Sequence, residues 1–180
     1  VRELRERHPG MPIVGVEPGL KPAASLTRNG NVGVLATERT LQGAKFLALR
    51  DQIQAASNAR FLLQPCVGLA DQIEFGELDS LETEAMLDRY IAPLLMDGAD
   101  TLVLGCTHYP LVQASIECVV RRHTDKRVTL IDTGDAVARQ LARLLDASGL
   151  LRTAGDQPSS LTGFTSASGE ALRAAFTTLL

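Results

Sequence analysis

The feature of this sequence that most constrains its fold is the alternation of short apolar segments with longer segments of helical periodicity. In the segments 41–56, 80–97 and 110–122, apolar residues recur every three or four positions, which is typical of helices with one buried face. Strands that alternate with helices of this length predict an α/β fold with a mostly parallel sheet. The predicted strands are 11–16, 32–36, 61–63, 101–104 and 128–131.

The boundaries of two further elements can also be predicted. The helix at 80–97 is expected to begin at Asp79, because Glu82 follows three residues later in the pattern of a capping box. A terminal helix is predicted at 169–179, after a polar and irregular segment at 149–163. The buried face of the 80–97 helix is expected to consist of Leu81, Met86, Leu87, Ile91, Leu94 and Leu95.

Two polar stretches, at 27–30 and 123–126, interrupt this pattern and predict the domain organisation. A central α/β domain at 31–125 is expected to be inserted between segments 1–30 and 126–180. The outer segments supply only two of the predicted strands, which is few for an independent core. Because the chain opens on Val1, within a pattern typical of the end of an amphipathic helix, we expect further chain upstream.

The composition of the chain limits which partners it can bind and in which cellular compartment it is expected. The 180 residues are 45% hydrophobic and carry a net charge of −3, which argues against a nucleic-acid or anionic-membrane partner. No apolar run reaches the roughly 18–20 residues needed to cross a bilayer, and no signal peptide is recognisable. Three scattered cysteines, at 66, 106 and 118, indicate neither a disulfide framework nor a zinc site. A reduced, cytoplasmic protein is predicted.

The segment TLVLGCTHYP, residues 101–110, carries the strongest signal for function. Four apolar or β-branched residues predict a buried strand, and the following glycine permits a sharp turn. Cys106, Thr107 and His108 come next, and Pro110 suits the first turn of a helix. In parallel α/β sheets ligands bind beyond the carboxyl ends of the strands, where a helix N-terminus favours an anion. We therefore predict a ligand site at this strand end.

Five side chains are candidates for this site. The thiol of Cys106 can be activated by a neighbouring imidazole, and His108 is a candidate general acid or orienting group. Glu74, which stands among apolar residues, is a candidate carboxylate at the edge of the site. Thr37 and Thr40 can cap the helix that follows them or face the same crevice. Structural interpretations compete with each of these: core packing for the thiol, and an exposed loop position for the carboxylate.

Other chemistries can be compared with the spacing of these residues. Val112 stands where a low-molecular-weight phosphatase requires arginine, so that class is excluded. Too few ligands accompany Cys106 and His108 for zinc, and no glycine-rich phosphate loop follows any strand. Acyl transfer by a Cys–His pair stays open, although the sequence shows no third supporting residue. Core packing is the preferred interpretation of Cys66 and Cys118.

At five places the sequence resembles the glutamate racemases, within the aspartate/glutamate racemase superfamily. The most specific match is LGCTHYPLV, which resembles the second catalytic-cysteine motif of that family. The likeness runs in consistent order from about residue 1 to residue 170. The other matching segments are VGVEPGLKPA (15–24), VGVLATERT (32–40), QPCVGLADQIEFGEL (64–78) and IDTGDAVAR (131–139).

The resemblance implies a fold and an activity. The fold would be two similar parallel-sheet α/β domains with the substrate between them: residues 1–30 would be a remnant of the first domain with the hinge, 31–125 the second domain and 126–180 the return to the first. The activity would be interconversion of L- and D-glutamate for peptidoglycan, by a cofactor-independent isomerase with no metal. Glutamate would be the small-molecule partner, and a homodimer is compatible with the family.

The resemblance also implies roles for individual residues. Cys106 matches the second catalytic cysteine, which acts on the L-enantiomer, and His108 would assist its thiol. Glu74 falls on an acidic active-site position of the family. Thr107 would hold the substrate, together with the threonines of the turn at 37–40.

The chain departs from the family in one important respect. A D-S-G turn, a Pro-Tyr-Gly loop and the first cysteine in a C-N-T motif are absent from these residues, and neither Cys66 nor Cys118 matches that cysteine. We therefore expect this chain to correspond to the C-terminal two-thirds of a glutamate racemase and to be unable to racemise by itself. Two alternatives stay open: a racemase of the same superfamily acting on aspartate or another amino acid, and a non-catalytic binding fragment.

Overall fold

A parallel four-stranded sheet forms the centre of the computed structural model, which describes residues 1–152, 162–166 and 168–179. The strand order is β2-β1-β3-β4, and each neighbouring pair is parallel. The predicted α/β fold with a parallel sheet is confirmed. The strands are β1 (Asn31–Ala36), β2 (Arg60–Pro65), β3 (Thr101–Leu104) and β4 (Thr129–Ile131).

Helices connect and flank these strands. After β3, a 3₁₀ turn, Tyr109–Val112, leads directly into the helix Gln113–His123. In the described part of the chain no helix is both long and apolar enough to cross a membrane. The helices are α1 (Arg2–Arg7), α2 (Leu20–Leu26), α3 (Glu38–Leu41), α4 (Ala44–Ala56), α5 (Leu69–Glu74), α6 (Leu81–Met96), α7 (Gln113–His123), α8 (Gly134–Ala147) and α9 (Gly169–Leu179).

The sheet separates two hydrophobic clusters, because successive side chains of a strand point to opposite faces. On β3, Leu102 packs with α6 and α7, whereas Val103 packs with α2 and α4. On β1, Val34 and Leu35 divide between the clusters in the same way. All four side chains are fully buried, and each contributes roughly 1.5–3 kcal/mol relative to an exposed position. The sheet therefore fixes the strand ends on which the site depends.

The strand order places a topological switch point between β1 and β3. The chain leaves β1 toward β2 on one side, and β3 lies on the other side. The register pairs Leu35 with Leu104, so the carboxyl ends of β1 and β3 are neighbours. Ligands of parallel α/β folds bind in the crevice at such a point.

Several details of the prediction are wrong. Residues 11–16 form no strand, because among the described residues they have no neighbouring strand with which to pair. The cap of α6 is Ser80 rather than Asp79: the Ser80 hydroxyl accepts a hydrogen bond from the backbone N–H of Thr83. Leu81 is 86% exposed, because it lies off the helix face that fully buried Thr83 and Leu87 define.

The central sheet also contains elements from outside the segment 31–125. Strand β4 pairs with β3, and α2 packs through fully buried Leu20 and Ala23 against the same sheet. The division into 1–30, 31–125 and 126–180 stays a prediction. The irregular segment predicted at 149–163 lies largely outside the described residues.

Candidate active site

Cys106 follows β3 at the switch point. Gly105, which precedes it, allows the end of β3 to lie close to the end of β1. A Cβ atom at Gly105 would lie 2.9 Å from the Ala36 Cβ and 2.9 Å from the Leu35 carbonyl oxygen. The Gly105 N–H donates a 2.7 Å hydrogen bond to that carbonyl. The glycine is therefore required for the close approach of β1 and β3, which brings Cys106 next to the residues that follow β1.

Three of the predicted site residues form a continuous chain of polar contacts. The Cys106 Sγ lies 3.6 Å from the His108 Nδ1. The other ring nitrogen, Nε2, lies 2.9 Å from the Glu74 Oε1. The side chains of His108 and Glu74 are 30% and 61% exposed, so this chain of groups leads from the sheet edge to solvent. The structure therefore connects a thiol, an imidazole and a carboxylate that the sequence separates by up to 34 positions.

The backbone around Cys106 has hydrogen-bonding capacity that the protein does not use. The N–H groups of Cys106, Thr107 and His108 make no hydrogen bond within the described residues. They precede the 3₁₀ turn and α7, so they lie at the positive end of a helical segment. Adjacent free N–H groups in this position can bind a carboxylate or a developing oxyanion.

The threonines predicted to bind substrate occupy the same edge of the sheet. Thr37 caps α3: its Oγ1 accepts a 3.2 Å hydrogen bond from the Thr40 N–H and lies 2.9 Å from the Thr40 Oγ1. Thr107 is exposed beside Cys106. Within the described residues no hydrogen bond links the Thr37–Thr40 pair to Cys106 or His108. Their role in binding, like the roles of the other site residues, stays a prediction.

A second thiol lies near the site but is buried. Cys66, at the end of β2, is 2% exposed, and burial raises its pKa to about 12. Its Sγ lies 3.5 Å from the Gln64 carbonyl oxygen. The core-packing interpretation suits this thiol, because at neutral pH it is neither accessible nor ionised.

Tyr109 was not singled out from the sequence, yet it is the largest fully buried side chain near the site. Its hydroxyl faces the Cys66 thiol, a weak hydrogen-bonding group, and no stronger partner is found among the described residues. Burial raises the pKa of this phenol, and the nearby thiols of Cys66 and Cys106 raise it further. Its position directly after His108 is the only signal in the sequence, because burial of the ring depends on packing beneath the loop.

Within the described ranges, no three His, Cys, Asp or Glu side chains are grouped closely enough to hold a metal ion.

The chain is similar to known proteins over most of its length. The profile of the Asp/Glu/Hydantoin racemase family matches residues 1–141. A glutamate racemase of Ectopseudomonas mendocina is 52% identical over 162 residues, which are 90% of this chain and 58% of that protein. A glutamate racemase of Pseudomonas aeruginosa is 51% identical over 149 residues, covering 83% of this chain and 54% of that protein. The chain thus spans between half and two thirds of the length of these relatives.

Solved structures give the same result. One match is Escherichia coli glutamate racemase, in complex with L-glutamate and the activator UDP-MurNAc-ala. The TM-score is 0.68 and the sequence identity 32%, and the match covers 81% of this chain and 53% of that one. Glutamate racemase of Francisella tularensis, in complex with D-glutamate, matches with a TM-score of 0.59 and 28% identity over 76% of this chain and 49% of that one. Sequence profile, relatives and fold agree, and the chain belongs to the Asp/Glu/hydantoin racemase family.

Proposed function

We propose that this chain is the Cys106-bearing part of a glutamate racemase. The observation that carries the proposal is the contact between the Cys106 thiol and the His108 imidazole at the switch point of the sheet. About 50% identity to glutamate racemases supports glutamate as the substrate.

The chemical step is removal of the α-proton of glutamate, which is only weakly acidic. The Cys106 thiolate takes this proton from the L-enantiomer, while His108 orients the thiol and exchanges its proton. Glu74 holds the imidazole through its Nε2 atom. The free N–H groups after β3 bind the substrate carboxylate, and Thr37, Thr40 and Thr107 supply hydroxyls at the rim.

Racemisation requires a second proton donor on the opposite face of the α-carbon. The described residues offer no second accessible thiol at this edge, since Cys66 is buried. A polypeptide of these 180 residues therefore exchanges the α-proton of L-glutamate slowly and without inversion. In a complete racemase the D-glutamate formed in the cytoplasm would supply peptidoglycan. A homodimer is compatible with this assignment.

Proton exchange in D₂O tests the assignment. L-glutamate, D-glutamate and L-aspartate are supplied separately, and deuterium incorporation and optical inversion are measured. This chain is compared with a chimera that adds the N-terminal part of the Ectopseudomonas mendocina relative. Cys106→Ala should reduce exchange by at least about a thousandfold, because the base is removed. Cys118→Ser is the matched control and should leave exchange unchanged.

Each outcome has a defined meaning. Exchange of L-glutamate by the chain, with racemisation only by the chimera, supports the whole proposal. Racemisation of both enantiomers by this chain alone would contradict the single-base argument. A preference for aspartate would preserve the family but reject the substrate. Binding without exchange by the chimera would favour a non-catalytic fragment.

A further inference from the structure

The site has the connectivity of a nucleophilic triad as well as that of a proton-transfer pair. In such a triad the nucleophile contacts a base, and a third group orients the base through its other nitrogen. The Cys106 Sγ contacts Nδ1 of His108 at 3.6 Å, and Glu74 contacts Nε2 at 2.9 Å. The sequence left acyl transfer open for want of a third residue; the structure supplies one in Glu74.

We infer that Cys106 is also a nucleophile that accepts acyl groups from activated esters and thioesters and transfers them to water. This activity goes beyond the proposed proton exchange, because a covalent bond forms to carbon and no α-proton is involved. Two features besides the triad support it. Cys106 is partly accessible to solvent, and the free N–H groups of Thr107 and His108 lie beside it.

The reaction proceeds through an acyl-Cys106 thioester. The proton of the Cys106 thiol passes to His108, and the thiolate sulfur attacks the acyl carbon. The C–O bond of the ester, or the C–S bond of a thioester substrate, then breaks, and the leaving alcohol, phenol or thiol takes the proton from the imidazolium. Water next attacks the thioester carbon while His108 accepts its proton. The C–S bond breaks, and the thiol regains that proton as the free carboxylic acid leaves.

Two further groups of the site assist this reaction. During both attacks a negative charge develops on the acyl oxygen, and the free backbone N–H groups after β3 can stabilise it. Glu74 does not contact the acyl group and acts as a positioning residue for the imidazole. Removal of Glu74 should therefore lower kcat and leave KM unchanged.

Hydrolysis of p-nitrophenyl acetate by the full 180-residue chain tests the inference. Release of p-nitrophenolate gives acylation and turnover, and mass spectrometry of peptides locates the acetyl group. Cys118, on α7, has a similar degree of exposure and serves as an internal reference thiol. Cys106 should be acetylated at least about 100-fold faster than Cys118, which is the lower range for general acid–base assistance. Glu74→Gln should reduce kcat about fivefold with KM unchanged.

The variants separate this activity from ordinary thiol reactivity. Cys106→Ala and His108→Asn should abolish turnover, whereas Cys118→Ser should retain it; circular dichroism checks that each variant is folded. Equal acetylation of Cys106 and Cys118 would overturn the inference. An acetyl-Cys106 that forms but is not hydrolysed would also overturn it. Proton exchange is measured on the same variants: exchange by a chain that does not hydrolyse the ester overturns this inference alone, whereas loss of both activities overturns the proposed function as well.

Discussion

The two ends of the central sheet both carry a polar cluster, but the clusters differ in how fully their hydrogen bonds are used. At the amino end, the Asp100 carboxylate accepts hydrogen bonds from the Thr27 hydroxyl at 2.6 Å, the backbone N–H groups of Arg28 and Asn29 at 2.8 and 3.0 Å, and the Thr101 hydroxyl at 3.0 Å. Its side chain is only 12% exposed. This cluster joins the loops before β1 and β3 and has little capacity left for a ligand.

At the carboxyl end, hydrogen-bonding capacity is left over. Three consecutive N–H groups from Cys106 to His108 have no partner within the described residues, and Glu74 is largely exposed. Donors without a protein partner at the carboxyl end of a strand are available to a ligand, and loops at strand ends commonly carry binding residues. We therefore expect the Asp100 cluster to act in stability and the Cys106 end of the sheet to carry the proposed chemistry.

The largest expected effect distinguishes the two thiols at the carboxyl end. Cys66 is 2% exposed and burial raises its pKa to about 12, so at pH 8 its thiol is protonated and shielded from reagents, whereas Cys106 is partly exposed. Iodoacetamide should therefore modify Cys106 at least about a hundredfold faster than Cys66 in the native chain. Peptide mass spectrometry gives both rates, and unfolding in guanidinium should remove the difference. Rapid native labelling of Cys66 would show that burial does not control reactivity here.

The next effect concerns the satisfied cluster. In Asp100→Asn the side-chain NH₂ would face backbone donors, so the free energy of unfolding should fall by about 2 kcal/mol at pH 7. Urea denaturation measures this loss, and ester hydrolysis and proton exchange should be unchanged. A loss of chemistry without a loss of stability would break the comparison between the two ends.

This loss of stability should depend on pH. Burial opposes ionisation of Asp100, but the hydrogen bonds from Thr27, Arg28, Thr101 and Asn29 outweigh it and lower the pKa of the carboxyl group. A lowered native pKa stabilises the fold above the pKa of the unfolded state, and this contribution is lost as pH falls through the native value. The difference between wild type and Asp100→Asn should therefore shrink below about pH 4.

A smaller effect is expected at the exposed end of the thiol–imidazole–carboxylate chain. The Glu74–His108 pair is partly solvated, so its contribution is at most about 1 kcal/mol. Glu74→Gln should lower the rate of proton exchange about fivefold and lower the free energy of unfolding by at most about 1 kcal/mol. Glu77→Gln, a nearby loop substitution, is the control and should change neither quantity. A large loss of stability in Glu74→Gln would show that this residue stabilises the fold and does not act in the chemistry.

The smallest effect concerns a helix cap, whose polar side chain is hydrogen-bonded within the protein. If such residues act only in stability, a substitution at the cap should change the free energy of unfolding and not the chemistry. Ser80 caps α6 by accepting a hydrogen bond from the Thr83 N–H at 3.3 Å. Ser80→Ala should lower the free energy of unfolding by up to about 1 kcal/mol without changing exchange. Asp79→Ala, the cap expected from the sequence, should have almost no effect on urea denaturation. The reverse ranking would show that the capping assignment is wrong.

Local pattern predicted much of the fold, and its failures have physical causes. The segments around β1, β3 and α9 were predicted to within about one residue, because their periodicity and turn residues agree with their final environment. Residues 11–16 have the same apolar character but form no strand, since a strand requires a partner that local sequence cannot specify. Asp79 and Ser80 are adjacent candidates for one cap, and the helix direction selects between them.

The site shows where the sequence ceases to be sufficient. By itself the sequence placed Cys106, Thr107 and His108 at the end of a buried strand, because a four-residue apolar run followed by glycine specifies that arrangement locally. Only the tertiary structure decided that Glu74 meets His108 and that Cys66 is shielded from solvent. Contacts between distant residues and the loss of water around a thiol depend on how helices pack over the sheet, and local sequence does not encode that packing.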